Sequence, residues 1–120
     1  MQSDGVRRFE PIGRDALIEA LTAARAMLYR GDPGETFCLA LGEAQALGLP
    51  AVVTPLGSVG ERVADGVTGR VADNDDAFVD AAIAVLRDDT LWRRWHRAAL
   101  AQQRGLSWDE VAVRYEAMLP

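Results

Sequence analysis

The feature that most constrains the fold of this chain is a predicted helix, which ends before a glycine and a proline. It lies between two short apolar runs. The helix is predicted over residues 37–47, because Gly48 is typical of the position just after a helix end and Pro50 follows it. Strand-like runs at residues 26–29 and 50–54 lie on either side. Short strands that alternate with helices are typical of a parallel sheet, so the sequence predicts an α/β fold.

The rest of the chain continues this alternation. Further strands are predicted at residues 6–12 and 69–72, which gives a parallel sheet of about four strands with flanking helices. The other predicted helices are one capped by Asp15 and running to about residue 25, a short one at 61–64, one capped within 73–75 and running to about 86, and one capped by Thr90. Ser107 and Glu110 have the spacing of a capping box, which predicts a last helix with an apolar stripe.

Composition excludes several classes of protein. The net charge of −5 offers nothing that attracts nucleic acid or an anionic membrane. The single cysteine, Cys38, excludes an internal disulfide and is typical of a reducing compartment. No apolar run approaches the ~20 residues of a membrane span, and the polar N-terminus does not resemble a signal peptide. We therefore expect a cytoplasmic protein with no transmembrane segment.

Glu35 and Glu43 bracket the start of the central helix. Eight residues of helix correspond to a rise of ~12 Å, about the span of a diphosphate and part of its substituents. N–H groups near Phe37, Cys38 and Leu39 are expected to lack helical partners and to favour an anion. A ligand with a phosphate centre and hydroxyls on either side, such as a nucleotide-sugar, would fit. The alternative is an exposed loop glutamate and an unrelated glutamate on the helix surface.

The context of these glutamates resembles a known motif. It consists of Glu35-Thr36-Phe37-Cys38-Leu39, then Glu43-Ala44, then Leu47-Gly48-Leu49-Pro50-Ala51-Val52-Val53. This pattern is similar to the donor-site motif of group-one retaining glycosyltransferases, in which two Rossmann-like domains face each other (the GT-B fold). Gly57, Glu61 and residues 65–69 are similar to the next segment of that family. The resemblance covers about residues 24–86.

The resemblance implies a role for each motif residue. Glu35, the candidate catalytic residue, would hydrogen-bond the hydroxyls of the transferred sugar, and Glu43 would hold the ribose hydroxyls. Residues 36–39 would complete the donor site, with the backbone N–H groups of Phe37, Cys38 and Leu39 meeting sugar and diphosphate oxygens. The donor would be a nucleoside-diphosphate sugar such as a UDP- or GDP-sugar, and the resemblance implies neither an essential metal nor another cofactor.

The chain also departs from the family pattern. Cys38 stands where glycine is frequent, and Ser58 stands where a second glycine is usual. Compared with the family, residues 1–120 correspond to a single, incomplete donor domain with a partial Rossmann-like sheet. The acceptor domain and a basic pair for the diphosphate are missing, and Arg14 and Arg30 are no evident replacements. We therefore expect the chain to be inactive alone, and a complementary acceptor-domain chain is one possible partner that would complete it.

The other residues that could take part in a reaction or bind a ligand have simpler interpretations. Cys38 is interpreted as a small packing residue, since no histidine lies near it in sequence to act as a base. His96 is interpreted as part of a solvated helix face. The tryptophans and Tyr115 are expected to be core or interface anchors. The last helix is expected to expose an apolar patch or to form a homo-oligomer. A non-catalytic α/β interaction module that has lost transferase activity remains the alternative function.

Overall fold

The computed structural model describes residues 4–103 and 107–119, in which three strands alternate with helices and three further helices follow the last strand directly. In chain order they are α1 (Arg14–Ala23), β1 (Met27–Tyr29), α2 (Leu39–Ala46), β2 (Ala51–Val53), α3 (Val59–Arg62), β3 (Gly69–Val71), α4 (Asp75–Arg87), α5 (Asp89–Gln103) and α6 (Trp108–Glu116). The predicted α/β class is confirmed.

The strands form one parallel sheet in the order β1-β2-β3. Ala51 in the central strand pairs with Met27 on one side and with Gly69 on the other. Helix α2 connects β1 to β2, and α3 connects β2 to β3. The carboxyl ends of all three strands therefore lie at the same edge of the sheet, where open α/β sheets bind their ligands.

The prediction of about four strands was wrong, since the described residues form three. The expected strand at residues 6–12 is missing: Val6 and Phe9 are exposed, and no backbone there pairs with the sheet. A run of alternating residues becomes a strand only where a neighbouring strand satisfies its backbone hydrogen bonds.

The core lies on both faces of the sheet. On one face Ala51 and Val53 pack with Leu41 of α2 and Val59 of α3. On the other face Val52 packs with three residues of the last long helices, Phe78, Val85 and Trp95. Successive side chains of a strand point to opposite faces, so a strand that is apolar at every position is covered on both sides. This confirms that residues 51–53 form a strand buried on both faces.

Three predicted helix ends are confirmed by their hydrogen bonds. Gly48 has φ +81°, and Leu49 N donates to Ala44 O at 3.0 Å, as in a Schellman motif. At the start of α4, Asn74 Oδ1 accepts from Ala77 N at 2.9 Å. Ser107 and Glu110 form the predicted capping box of α6.

Two predicted caps are wrong. Helix α1 begins at Arg14 with Gly13 at its cap position, so Asp15 lies within the first turn. At the start of α5 the side chain of Asp88 accepts from Thr90 N and Leu91 N at 2.8 and 3.0 Å. Asp88, and not Thr90, therefore caps this helix. Because short polar side chains all cap well, sequence alone does not decide between neighbours.

The apolar stripe of α6 is exposed, as the sequence predicts. Trp108 is 87% exposed, and Tyr115 and Met118 are exposed with it. Of the four aromatic residues predicted as anchors, Trp95 is buried in the core and Trp92 packs against it, whereas Trp108 and Tyr115 are exposed. Among the described residues, none of the helices combines the length and the apolar character needed to cross a bilayer.

Candidate functional site at the start of helix α2

Two loops meet at the carboxyl edge of the sheet. One follows β1 and carries Glu35, and the other follows β2 and carries Gly57 and Ser58. Ser58 N donates to Glu35 O at 2.9 Å, and the hydroxyl of Thr54 donates to Arg30 O. These backbone contacts fix the position of Glu35 relative to the sheet.

Both carboxylate oxygens of Glu35 accept hydrogen bonds. Oε1 accepts from Cys38 N at 2.9 Å, and Oε2 accepts from the hydroxyl of Tyr29 at 3.2 Å. The hydrogen bond from Cys38 N is the main reason that the pKa of Glu35 is lowered, since it stabilises the charged carboxylate. Partial burial, followed by the contact with Glu35, raises the pKa of the Tyr29 phenol. Glu35 is thus held ionised at the entry of α2.

Cys38 adopts a left-handed backbone conformation, with φ 53° and ψ 67°. It is the one residue other than glycine with positive φ in the described part of the chain. This conformation explains why glycine suits the position, because glycine adopts positive φ without a steric penalty. The Cys38 side chain is buried in the core beside Leu41, and burial raises the pKa of its thiol. The interpretation of Cys38 as a packing residue is confirmed.

Helix α2 begins at Leu39, two residues later than predicted. Among the predicted amides, that of Cys38 is engaged by the Glu35 carboxylate, so the expectation that it would be unpaired was wrong. Phe37 and Leu39 are exposed, as is Thr36. The start of the helix is therefore accessible, and the chain's own carboxylate already occupies one of its anion-binding N–H groups.

Arg62 is the site residue that sequence reasoning missed. Its Nε donates to Phe37 O at 2.9 Å, and its guanidinium carbon lies 3.6 Å from the centre of the Phe37 ring. Residues 37 and 62 are too far apart in sequence for a local pattern to pair them. The parallel order of β1 and β2 brings α3 beside the start of α2.

Glu43 lies further along α2 and faces α1. Its Oε1 is 3.2 Å from Arg14 Nη1, and the carboxylate is partly exposed. Both charged residues line a largely apolar cleft of about 120 Å³ between the two helices, whose other lining residues are Leu17, Ile18, Leu21, Ala46 and Leu47. The structure thus brings Glu35 to the Cys38 amide at the start of α2, whereas Glu43 lines a cleft whose lining includes none of residues 35–39.

His96 does not lie on a solvated helix face. Its Nδ1 is 2.7 Å from Gly48 O, and its ring stacks on Trp92 with the centroids 4.6 Å apart. It therefore ties α5 to the end of α2, and the sequence interpretation was wrong. In the described residues, 4–103 and 107–119, no group of three or more His, Cys, Asp or Glu side chains could hold a metal ion.

The lowered pKa of Glu35 predicts a pH-dependent contribution to stability. The contribution is fully present above the ordinary pKa of a glutamate and is lost as the pH falls through the lowered pKa. We expect wild type to unfold at a higher temperature than Glu35→Gln near neutral pH, and the difference in unfolding temperature to shrink as the pH falls below the ordinary pKa of a glutamate. Thermal unfolding of both proteins from neutral pH into acid measures this difference in unfolding temperature, with Glu116→Gln on α6 as the control. A difference that persists unchanged in acid would contradict it.

Comparison with known proteins identifies the family of the chain. The family model described as "Glycosyl transferases group 1" matches residues 2–102. A D-inositol 3-phosphate glycosyltransferase of Xylanimonas cellulosilytica is 34% identical over 112 residues, which cover 92% of this chain and 27% of the relative. The corresponding enzyme of Kribbella flavida is 33% identical over 112 residues, covering 91% of this chain and 26% of the relative.

A third relative is named for a different activity. A phosphatidyl-myo-inositol mannosyltransferase of Mycobacterium leprae is 36% identical over 81 residues, which cover 66% of this chain and 22% of the relative. The chain spans about a quarter of the length of these curated relatives. The matches confirm the resemblance carried by the motif from Glu35 to Val53. The chain belongs to the group 1 glycosyl transferases.

Proposed function

We propose that this chain binds a nucleoside-diphosphate sugar at the start of α2 and presents it for retaining glycosyl transfer. The observation that carries the proposal is the arrangement at the carboxyl edge of the sheet. There Glu35 lies against the Cys38 amide, at a helix start left accessible by the exposed Phe37 and Leu39. Membership of the family supplies the class of reaction.

The diphosphate would lie at the first turn of α2. The first N–H groups of a helix have no partner within the helix, and the helix dipole favours negative charge there. Glu35 is an acceptor held by Tyr29 and Cys38, and a sugar hydroxyl that approaches it can donate to either oxygen. These groups would orient the donor and stabilise the departing diphosphate.

The nucleoside would lie toward Glu43. A carboxylate accepts hydrogen bonds from both hydroxyls of a ribose, and Arg14 holds that of Glu43 at the mouth of the cleft between α1 and α2. The apolar walls of this cleft, which include Leu17 and Leu21, offer a surface for a nucleobase. The donor would then run from the cleft, past the start of α2, to Glu35.

Transfer would need a further protein surface that binds the acceptor. We propose that this surface is supplied by an acceptor domain, so that the 120-residue chain binds the donor without transferring it. Mixing the purified chain with a UDP- or GDP-sugar and D-inositol 3-phosphate, the compound in the names of two relatives, should give donor binding but no glycosylated product. Sugar transfer by the chain alone would contradict this part of the proposal.

Isothermal titration with UDP, GDP and their sugars tests the donor site. We expect saturable binding, weakened by about 10- to 100-fold in Glu43→Ala, since hydrogen bonds to a charged group contribute ~1.5–3 kcal/mol. Glu116→Ala, on the exposed helix α6, is the matched control and should bind like wild type. Equal affinities of Glu43→Ala and wild type would place the ribose elsewhere.

A second candidate function is supported by α6. Its exposed Trp108, Tyr115 and Met118 form the kind of apolar surface that contacts another protein. A non-catalytic interaction module would keep this surface without binding nucleotides. The titration distinguishes the two functions: no heat change with any nucleotide at millimolar concentration would favour the interaction module.

A further inference from the structure

The peptide unit between Phe37 and Cys38 is held at both ends. Its carbonyl oxygen, on Phe37, accepts from Arg62 Nε at 2.9 Å. Its N–H, on Cys38, donates to Glu35 Oε1 at 2.9 Å. In a planar trans peptide these two groups point in opposite directions, so fixing the carbonyl also fixes where the N–H points. Arg62 thereby directs the Cys38 amide toward Glu35.

The positive φ of Cys38 would favour a rotation of this peptide. Cys38 has φ 53°, which is unfavourable for a residue with a Cβ. Rotating the peptide by half a turn would take φ to about −127°, on the negative side that residues with a Cβ favour. The same rotation would point the Phe37 carbonyl at the Glu35 carboxylate and replace a donor by an acceptor. An anionic ligand at the start of α2 would then face a carbonyl oxygen beside the Glu35 carboxylate, which would repel it.

Arg62 is well placed to oppose this rotation. Its guanidinium lies 3.6 Å from the centre of the Phe37 ring while its Nε holds the Phe37 carbonyl, so the ring and the carbonyl are fixed by one side chain. A charged donor forms a stronger hydrogen bond to a carbonyl than a neutral one does. Turning the peptide would break both this bond and the one to Glu35.

We propose that Arg62 is a positioning residue of the donor site, which keeps the Phe37–Cys38 peptide in the orientation whose N–H, and not its carbonyl, faces Glu35 and the ligand side. This inference rests on the proposed function for its consequence, because the orientation of this peptide and of Glu35 matters to a donor diphosphate or sugar. It does not require Arg62 to contact the donor. Arg62 acts through the backbone of residues 37 and 38.

A double-mutant cycle with Cys38→Gly tests the inference. Arg62→Met keeps the length of the side chain and removes its donors, so we expect UDP or GDP to bind about tenfold more weakly. In the Cys38→Gly background positive φ has no steric cost, so Arg62→Met should weaken binding by less than about threefold. Arg62→Gln, which keeps an N–H donor, should fall between wild type and Arg62→Met. Arg97→Gln, on the exposed face of α5, is the control and should leave UDP and GDP binding unchanged in both backgrounds.

Amide NMR gives a readout that needs no ligand. The Cys38 N–H donates to a carboxylate, so its proton should resonate downfield and move as Glu35 is protonated. We expect Arg62→Met to remove this behaviour and Arg97→Gln to retain it, in samples shown to be folded by circular dichroism. An unchanged Cys38 resonance in Arg62→Met, or an equal loss of binding in both backgrounds, would overturn the inference. A wild-type chain that binds no nucleoside diphosphate would instead count against the proposed function alone.

Discussion

Replacing Gly57 by alanine is expected to destabilise the protein by at least about 3 kcal/mol and to abolish donor binding. Gly57 has φ +59°, and a Cβ at this position would lie 2.4 Å from Asp32 O and 2.7 Å from Glu35 O. Both contacts are with backbone atoms of the loop that carries Glu35, so neither can be relieved by rotating a side chain. The loop after β2 would have to leave the loop after β1, and the hydrogen bond from Ser58 N to Glu35 O would be lost.

Gly66→Ala is the matched control for this substitution. Gly66 also has positive φ, +74°, but a Cβ there would meet nothing within 4 Å. It should therefore show the backbone strain alone, about 1–2 kcal/mol, and leave nucleotide binding intact. Urea unfolding gives the stabilities and isothermal titration gives the affinities. If Gly57→Ala costs no more than Gly66→Ala, the two loops do not pack as described.

Gly69→Ala is expected to be as damaging, for a reason that lies in the sheet. Gly69 in β3 pairs with Ala51 in β2, and a Cβ on Gly69 would lie 1.9 Å from Ala51 O. Relief of that overlap requires the two strands to separate, which would expose the core on both faces of β2. We expect a loss of at least about 3 kcal/mol in the free energy of unfolding, or failure to fold.

Gly60→Ala separates this clash from a general effect of adding a methyl group. Gly60 lies in α3, and its Cβ would approach no atom closer than 3.9 Å. Because alanine is favoured over glycine in a helix, Gly60→Ala should be neutral or stabilising by up to ~1 kcal/mol. The urea midpoints of Gly69→Ala and Gly60→Ala compare the clash with the general effect of a methyl group. Similar midpoints would contradict the close approach of β2 and β3.

Local patterns predict those parts of the fold that depend on local interactions. The capping box at Ser107, the cap at Asn74 and the helix end at Gly48 are confirmed because each uses residues within one or two turns. The central strand is also confirmed, since its continuous apolar run reflects burial on both faces. The predicted strand at residues 6–12 fails because a strand depends on a partner that the local pattern does not reveal.

The candidate site was predictable in its position and less so in its detail. The motif places Glu35 and residues 36–39 at the start of α2, and the structure agrees. The delayed helix start, the left-handed Cys38 and the contact with Arg62 come from tertiary packing of two loops. The hydrogen bond from Tyr29 to Glu35 likewise joins β1 to the loop after it. The roles of the individual residues toward a donor stay predictions.

Amide NMR of the chain during titration with UDP and GDP is the most direct test of donor binding at the start of α2. We expect the resonances of Phe37, Cys38 and Leu39 to shift in a saturable way. We expect these shifts to require the side chain of Glu35. Amides of β3 and α6 should stay in place and serve as internal references. Saturable binding that leaves residues 37–39 unperturbed, or no binding at millimolar nucleotide, would contradict the account.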